Sequence, residues 1–174
     1  ASWVRLGATD LYSEDTINLA AAVEAPFCRG LALGAAGKLL RLDAPGYEAY
    51  NDPAYLGADT DFSFDLGLHY DGAGPWTLGA VLYNVNEPAL QLLGTTTDPD
   101  PTTREWAAGG SYLFRDTLLV TADVRSRRNL GGGWLDCTVH GGAEIWFFNA
   151  LALRAGLNAG LATMGVGLQD VHWE

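Results

Sequence analysis

The sequence predicts an all-β protein: an antiparallel transmembrane β-barrel with about ten strands in one domain spanning residues 1–174. Three observations lead there. Apolar residues alternate with small or polar ones at period two, the alternating runs are long, and the connections between them are alternately short and long.

The alternation repeats along the chain. Ile17, Leu19, Ala21 and Val23 alternate with Asn18, Ala20, Ala22 and Glu24, and Phe62, Phe64, Leu66, Leu68 and Tyr70 with Ser63, Asp65, Gly67 and His69. Leu118, Val120, Ala122 and Val124 alternate with Thr117, Thr121, Asp123 and Arg125. Leu151, Leu153, Ala155 and Leu157 alternate with Ala152, Arg154, Gly156 and Asn158. Successive side chains of a strand point to opposite faces, so each run has one apolar and one small or polar face. The expected strands are Ser2–Thr9, Thr16–Glu24, Gly30–Leu42, Asp61–Tyr70, Trp76–Asn86, Arg104–Phe114, Thr117–Arg125, Asp136–Phe147, Ala150–Asn158 and Thr163–Trp173. They run to roughly nine to twelve residues, the reach of a tilted membrane-spanning strand, where strands of soluble proteins average about five or six.

Short turns are expected at Pro26–Arg29, Asp71–Pro75, Arg115–Asp116 and Phe148–Asn149. Longer loops are expected at Asp10–Asp15, Asp43–Thr60, Glu87–Thr103 and Ser126–Leu135. These loops collect the breakers Pro45, Pro53, Pro88, Pro99, Pro101 and Gly131–Gly133. Short turns at one end and long loops at the other are the layout of a bacterial outer-membrane barrel. The last long-side connection, near Gly160, is short.

Aromatic rings gather at the same levels. Tyr70, Trp76, Tyr112, Phe114, Trp146, Phe147 and Phe148 all lie within a few residues of a short turn, where amphipathic rings form an interfacial girdle. Trp106 and Trp134 stand near the other end. Parity assigns Leu19, Phe64, Leu66, Val120, Leu151 and Leu153 to lipid. It assigns Glu24, Lys38, Asp65, His69, Glu105, Asp123, Arg125, Glu144 and Arg154 to the lumen, because a charge facing lipid at mid-bilayer costs several kcal/mol. Both signs occur among them, which favours a salt-bridged, partly filled interior over an open selective pore. The competing reading is a soluble antiparallel barrel or sandwich whose core is the apolar face.

Composition narrows the function. Twenty-one acidic and ten basic residues give a net charge of -11, which argues against nucleic acid as a partner. Hydrophobic residues make up 48% of the chain, yet the longest apolar stretch, Gly30 to Leu40, contains Lys38 and is too short for a membrane helix. The three histidines, His69, His140 and His172, show no metal-ligand spacing, and there is no nucleophile elbow or phosphate loop. Nothing in the sequence brings Ser111 and His140 together as a hydrolytic pair. The loop acids Asp52, Asp59, Asp61, Asp98 and Asp100 offer oxygen ligands without calcium-loop spacing. No catalysis, cofactor or metal is therefore expected. Cys28 and Cys137 fall at opposite barrel ends and are expected to be free, since a disulfide needs Cα atoms within about 7 Å.

Several short segments resemble the PorV/PorQ family of outer-membrane proteins, which share the FadL-like barrel. They are Gly142-Ala143-Glu144-Ile145-Trp146-Phe147, then Leu151 to Asn158, then Gly165-Val166-Gly167-Leu168. The earlier Leu66 to Tyr70 and Leu78 to Val85 belong to the same pattern. The family's Asn-Pro-Ala-Gly motif and its aromatic-rich final strand are absent from these residues. The resemblance implies a barrel of about fourteen strands, of which this chain supplies a C-terminal portion. It also implies a role in an envelope complex for secretion or surface attachment, with membrane lipid and other envelope proteins as partners. A FadL-like transporter of hydrophobic or small molecules and a soluble β-barrel binding module are the alternatives.

Overall fold

The computed structural model describes residues 1–8, 11–72, 74–94, 100–128, 134–148 and 150–169. Ten strands form one antiparallel sheet: β1 (Ser2–Ala8), β2 (Tyr12–Glu24), β3 (Leu31–Asp43), β4 (Asp59–Asp71), β5 (Trp76–Tyr83), β8 (Glu105–Phe114), β9 (Leu118–Arg128), β10 (Trp134–Phe147), β11 (Leu151–Asn158) and β12 (Leu161–Leu168). The remaining two, β6 (Ala89–Leu90) and β7 (Asp100–Pro101), pair with each other inside the β5–β8 connection. A short 3-10 turn, Pro45–Tyr50, interrupts the β3–β4 connection. Neighbours in the sheet are neighbours in the chain throughout, so the whole is an up-and-down meander. The sheet is open: β1 and β12 are its edges and do not pair with each other.

All ten expected strands occur, with altered ends. β2 begins at Tyr12, so residues 12–15 of the expected loop Asp10–Asp15 are strand, and Asp10 lies outside the described residues. Arg5 and Asp15 sit opposite one another in the β1–β2 ladder, which keeps the pairing going past the expected boundary. β4 starts two residues early, at Asp59, and β12 starts at Leu161. β9 runs on to Arg128, paired with Trp134 across a bulge. β5 stops at Tyr83, three residues short, where Asn84 turns out of the ladder with φ 50°. The expected tail of the last strand, 170–173, and the glycine run 131–133 lie outside the described residues.

The registers settle which residues share a face. Asn18, Lys38 and Ser63 align across β2, β3 and β4, and Ala36 aligns with Asp65. His69, Gly79, Gly109, Asp123, His140 and Asn158 continue that face across the rest of the sheet. The opposite face carries Ile17, Leu39 and Phe62, then Leu66, Leu82 and Trp106, then Val120, Ala143 and Ala155. Among the described residues no second layer covers the apolar face, and the buried apolar residues are only three alanines: Ala25, Ala44 and Ala152. The accessible surface is 12204 Å², against about 8,200 Å² for a compact monomer of this mass.

The turns are set by local chemistry. Arg115 and Asp116 both take positive φ, and Thr117 N–H donates to the Phe114 carbonyl at 3.1 Å, the tight turn whose twist matches a hairpin. Gly30, with φ 82°, closes the β2–β3 turn where its carbonyl accepts the Asp71 N–H at 2.7 Å. A Cβ at Gly30 would lie 2.2 Å from the Asp71 carbonyl oxygen. Gly30→Ala is therefore expected to cost about 1 to 3 kcal/mol, read as a lower denaturant midpoint. An unchanged midpoint would show that this turn relaxes without strain.

Candidate functional site

The polar face carries most of the chemistry-bearing groups among the described residues, while Arg5–Asp15 and Arg41–Asp43 pair on the opposite face toward the long-loop end. All nine residues assigned to a lumen by parity lie on the polar face, and Leu19, Phe64, Leu66, Val120, Leu151 and Leu153 all lie on the other. Exposure runs opposite to the usual order. In β4, Ser63 and Asp65 are 0% and 8% exposed, while the interleaved Phe62, Phe64 and Leu66 are 51%, 37% and 48% exposed. The polar side chains crowd together and the apolar ones splay outward, the arrangement of a sheet curved toward its polar face.

Most of the charges on that face are paired across adjacent strands. Lys38 Nζ on β3 lies 2.7 Å from Asp65 Oδ1 on β4 and donates to Asn84 Oδ1 at 3.0 Å. Asn84 returns its own N–H to Asp65 Oδ1 at 2.9 Å, and Ser63 Oγ donates to Asn84 Oδ1 at 3.1 Å. Glu105 on β8, almost fully buried, takes Arg125 on one oxygen and Arg127 Nε on the other at 3.2 Å. Between these clusters the Tyr83 ring stands 5.6 Å from the Lys38 ammonium and 6.0 Å from the Arg125 guanidinium, within cation–π range.

A second group lies on the β9–β11 side. Asp123 Oδ1 and His140 Nδ1 are 2.8 Å apart, and Glu144 accepts from both Arg154 and the Trp146 indole. These side chains border a shallow recess of about 470 Å³ floored by Gly142, Gly156 and Gly165. A comparable recess on the β2–β5 side is floored by Ala20, Ala22, Gly34, Ala36 and Gly67 with Val81. Glu24 and His69 share the polar face nearer the short turns, both aligned with Ala32.

Of the rings expected in the girdles, the described strand residues keep the apolar face except Trp146. Tyr70 and Trp76 are in contact at 5.3 Å between centroids, Trp76 pairs with Tyr112, and Phe114 and Phe147 follow on the same face near the short turns. Trp106 stands on that face toward the long-loop end. Trp146, expected in the girdle, is on the polar face, paired with Ala152 and bonded to Glu144. Phe148 lies in the turn and is 97% exposed. The side chain of Trp134 lies outside the described residues.

The sequence reading missed Ser63, Tyr83, Asn84 and Arg127. Parity with Arg125 was the available signal for Arg127, hidden by ending the strand too soon. Asn84 carries no signal, because it acts from just beyond a strand.

Ser111 is not brought to His140: its hydroxyl is 2.6 Å from Thr77 Oγ1. The loop acids serve the backbone, with Asp52 accepting the Ala54 N–H, Asp61 that of Ala89 and Asp59 that of Gln91. Asp98 and the side chain of Asp100 lie outside the described residues. Among the described residues no group of acids, histidines and cysteines has the geometry to hold a metal ion. Cys28 and Cys137 are both free.

No family model, curated protein or solved structure matches the chain.

The pairing on the polar face sets an expectation. Removing Asp65 leaves the Lys38 ammonium without its counter-charge and the Asn84 N–H without its acceptor in a largely enclosed site. Asp65→Ala is expected to cost about 3 kcal/mol, while Lys38→Met combined with Asp65→Leu costs less than the single change. Equilibrium unfolding of the three variants measures this. A harmless Asp65→Ala would mean that water already screens the pair.

Proposed function

We propose that the chain is the wall of an outer-membrane β-barrel, with its apolar face against lipid and its paired charges on the lumen. The inverted exposure of β4, where serine and aspartate are hidden and phenylalanine and leucine are bare, carries this reading. A soluble sheet with no covering layer would present that whole apolar face to water, far beyond the patch size water-soluble monomers expose. Lipid supplies the missing layer.

Strand length agrees. β2, β3 and β4 each have 13 residues, about 43 Å when extended, which projects to about 30 Å at a tilt near 45°. That is the thickness of the hydrocarbon core. The rings near the short turns then sit at one interface and Trp106 toward the other. The open edges are closed by further strands, since an unpaired ladder in hydrocarbon costs several kcal/mol per group. This is the reading in which the sheet is part of a larger barrel, and its place is the bacterial outer membrane.

Within that frame the chain serves as a component of an envelope complex for secretion or surface attachment, as the PorV/PorQ resemblance implies. Its rim and long loops meet other envelope proteins, and it performs no catalysis. A second reading, transport of hydrophobic or small molecules in the FadL manner, draws on one observation. The recess at Ala20, Ala22, Gly34 and Ala36 gives the polar face a small-residue lane whose one charged lining residue is Asp65.

Expression with a secretion signal, membrane fractionation and gel mobility before and after heating test the reading. The protein is expected in the outer-membrane fraction, soluble only with detergent, with a mobility that changes on heating. Leu153→Arg, near the bilayer midplane, is expected to cost about 2 to 4 kcal/mol of stability in lipid. A protein that is monodisperse in plain buffer and indifferent to Leu153→Arg would overturn the membrane assignment.

A further inference from the structure

The β5–β8 connection does not stand clear of the sheet. Leu90, Pro101 and Thr102 line a recess together with Glu14, Thr16, Leu40 and Leu42. Those last four lie on the polar face of β2 and β3, because Thr16 aligns with Leu40 and Glu14 with Leu42. In the sheet, β4 and β3 separate β5 from β2. To reach that recess, the connection must cross the polar face of β4.

Its contacts hold it there. Asp59 and Asp61 stand on the polar face at the outer end of β4, in line with Leu42 and Leu40. Asp61 Oδ2 accepts the Ala89 N–H at 3.0 Å and Asp59 Oδ2 accepts the Gln91 N–H at 2.7 Å. Bonds from backbone N–H to an ionised carboxylate are among the stronger hydrogen bonds. The first leg is fastened by Asn84, already bound to the Lys38–Asp65 pair, and by its side chain donating to the Thr103 carbonyl at 3.2 Å. On the returning leg Arg104 donates to the Val85 carbonyl, and Glu87 accepts from Arg128 at 2.7 Å. Beyond the crossing, Leu92 O accepts the Leu56 N–H at 2.9 Å and Gly94 N–H donates to Ala54 O at 2.7 Å.

We propose that residues 84–94 form a fixed constriction inside the barrel, narrowing its lumen at the long-loop end and limiting by size the small hydrophilic solutes that pass. This rests on the barrel reading above. The segment is clamped at both legs and at the crossing, so it acts as a permanent narrowing and not as a gate. Asp59 and Asp61 are its positioning residues.

Channel recording in planar bilayers tests this with the protein purified in detergent. The set is the native protein, D59A/D61A, a variant with residues 87–93 replaced by Gly-Ser-Gly, and L19V, a conservative change on the apolar face. Both loop variants are expected to conduct at least about twofold more than the native protein, with L19V unchanged.

A second measurement covers a variant that folds poorly. Leu40→Cys, in a background with Cys28→Ser and Cys137→Ser, is labelled with a water-soluble maleimide. Its reaction is expected to be slow under the native loop and several-fold faster with the shortened one. Native-size channels from both loop variants, with an unchanged labelling rate, would overturn the constriction and leave the barrel standing. A protein that needs no detergent would instead overturn the barrel reading beneath it.

Discussion

The constraint on which everything else depends is that, among the described residues, no protein layer covers the apolar face of this sheet. Ten strands satisfy one another's backbone groups, and the side chains then divide by parity into an apolar face and a polar one. In a soluble sandwich the apolar face would meet a second apolar face and vanish from water. Among the described residues it meets no second layer, and the buried side chains are three alanines, three serines, Asp65 and Glu105. In the proposed barrel, lipid would cover the apolar face and water the polar one.

The polar face follows from the same constraint. Charges that share one face of the sheet stand beside one another, and cross-strand pairing limits the desolvation each one suffers. The pairs run strand to strand: β3 to β4 through Lys38 and Asp65, β8 to β9 through Glu105, β9 to β10 through Asp123 and His140, and β10 to β11 through Glu144 and Arg154. Tyr83 bridges the gap at β5 with its ring, so the series continues where no charge is present. The β5–β8 connection joins this network through Asn84, which ties the connection to the charge pairing of the polar face.

Much of the fold was legible in the sequence because period two is a strong signal when large apolar and small residues alternate without interruption. Asp65, Asp123 and Arg154 could be assigned to one face from their neighbours alone, and the registers put them together. The failures have physical causes. Arg127 was lost because charged residues at the end of β9 read as loop, although the strand continues to Arg128. Trp146 was assigned by its distance from a turn, and its even parity with Glu144 was overlooked. The acids Asp59 and Asp61 look like ordinary solvated loop residues in sequence. Their role depends on backbone amides at 89 and 91, which carry no side-chain signature.

Depth and solvent measured residue by residue test the central claim most directly. Spin labels at consecutive positions 64–68 on β4 and 151–155 on β11, in a cysteine-free background reconstituted in lipid, report collision with oxygen and with a water-soluble nickel chelate. The account predicts alternation with period two: oxygen access peaks at 64, 66, 68, 151, 153 and 155, and chelate access at 65, 67, 152 and 154. Uniform chelate access at every position, or oxygen access peaking at 65 and 154, would contradict it.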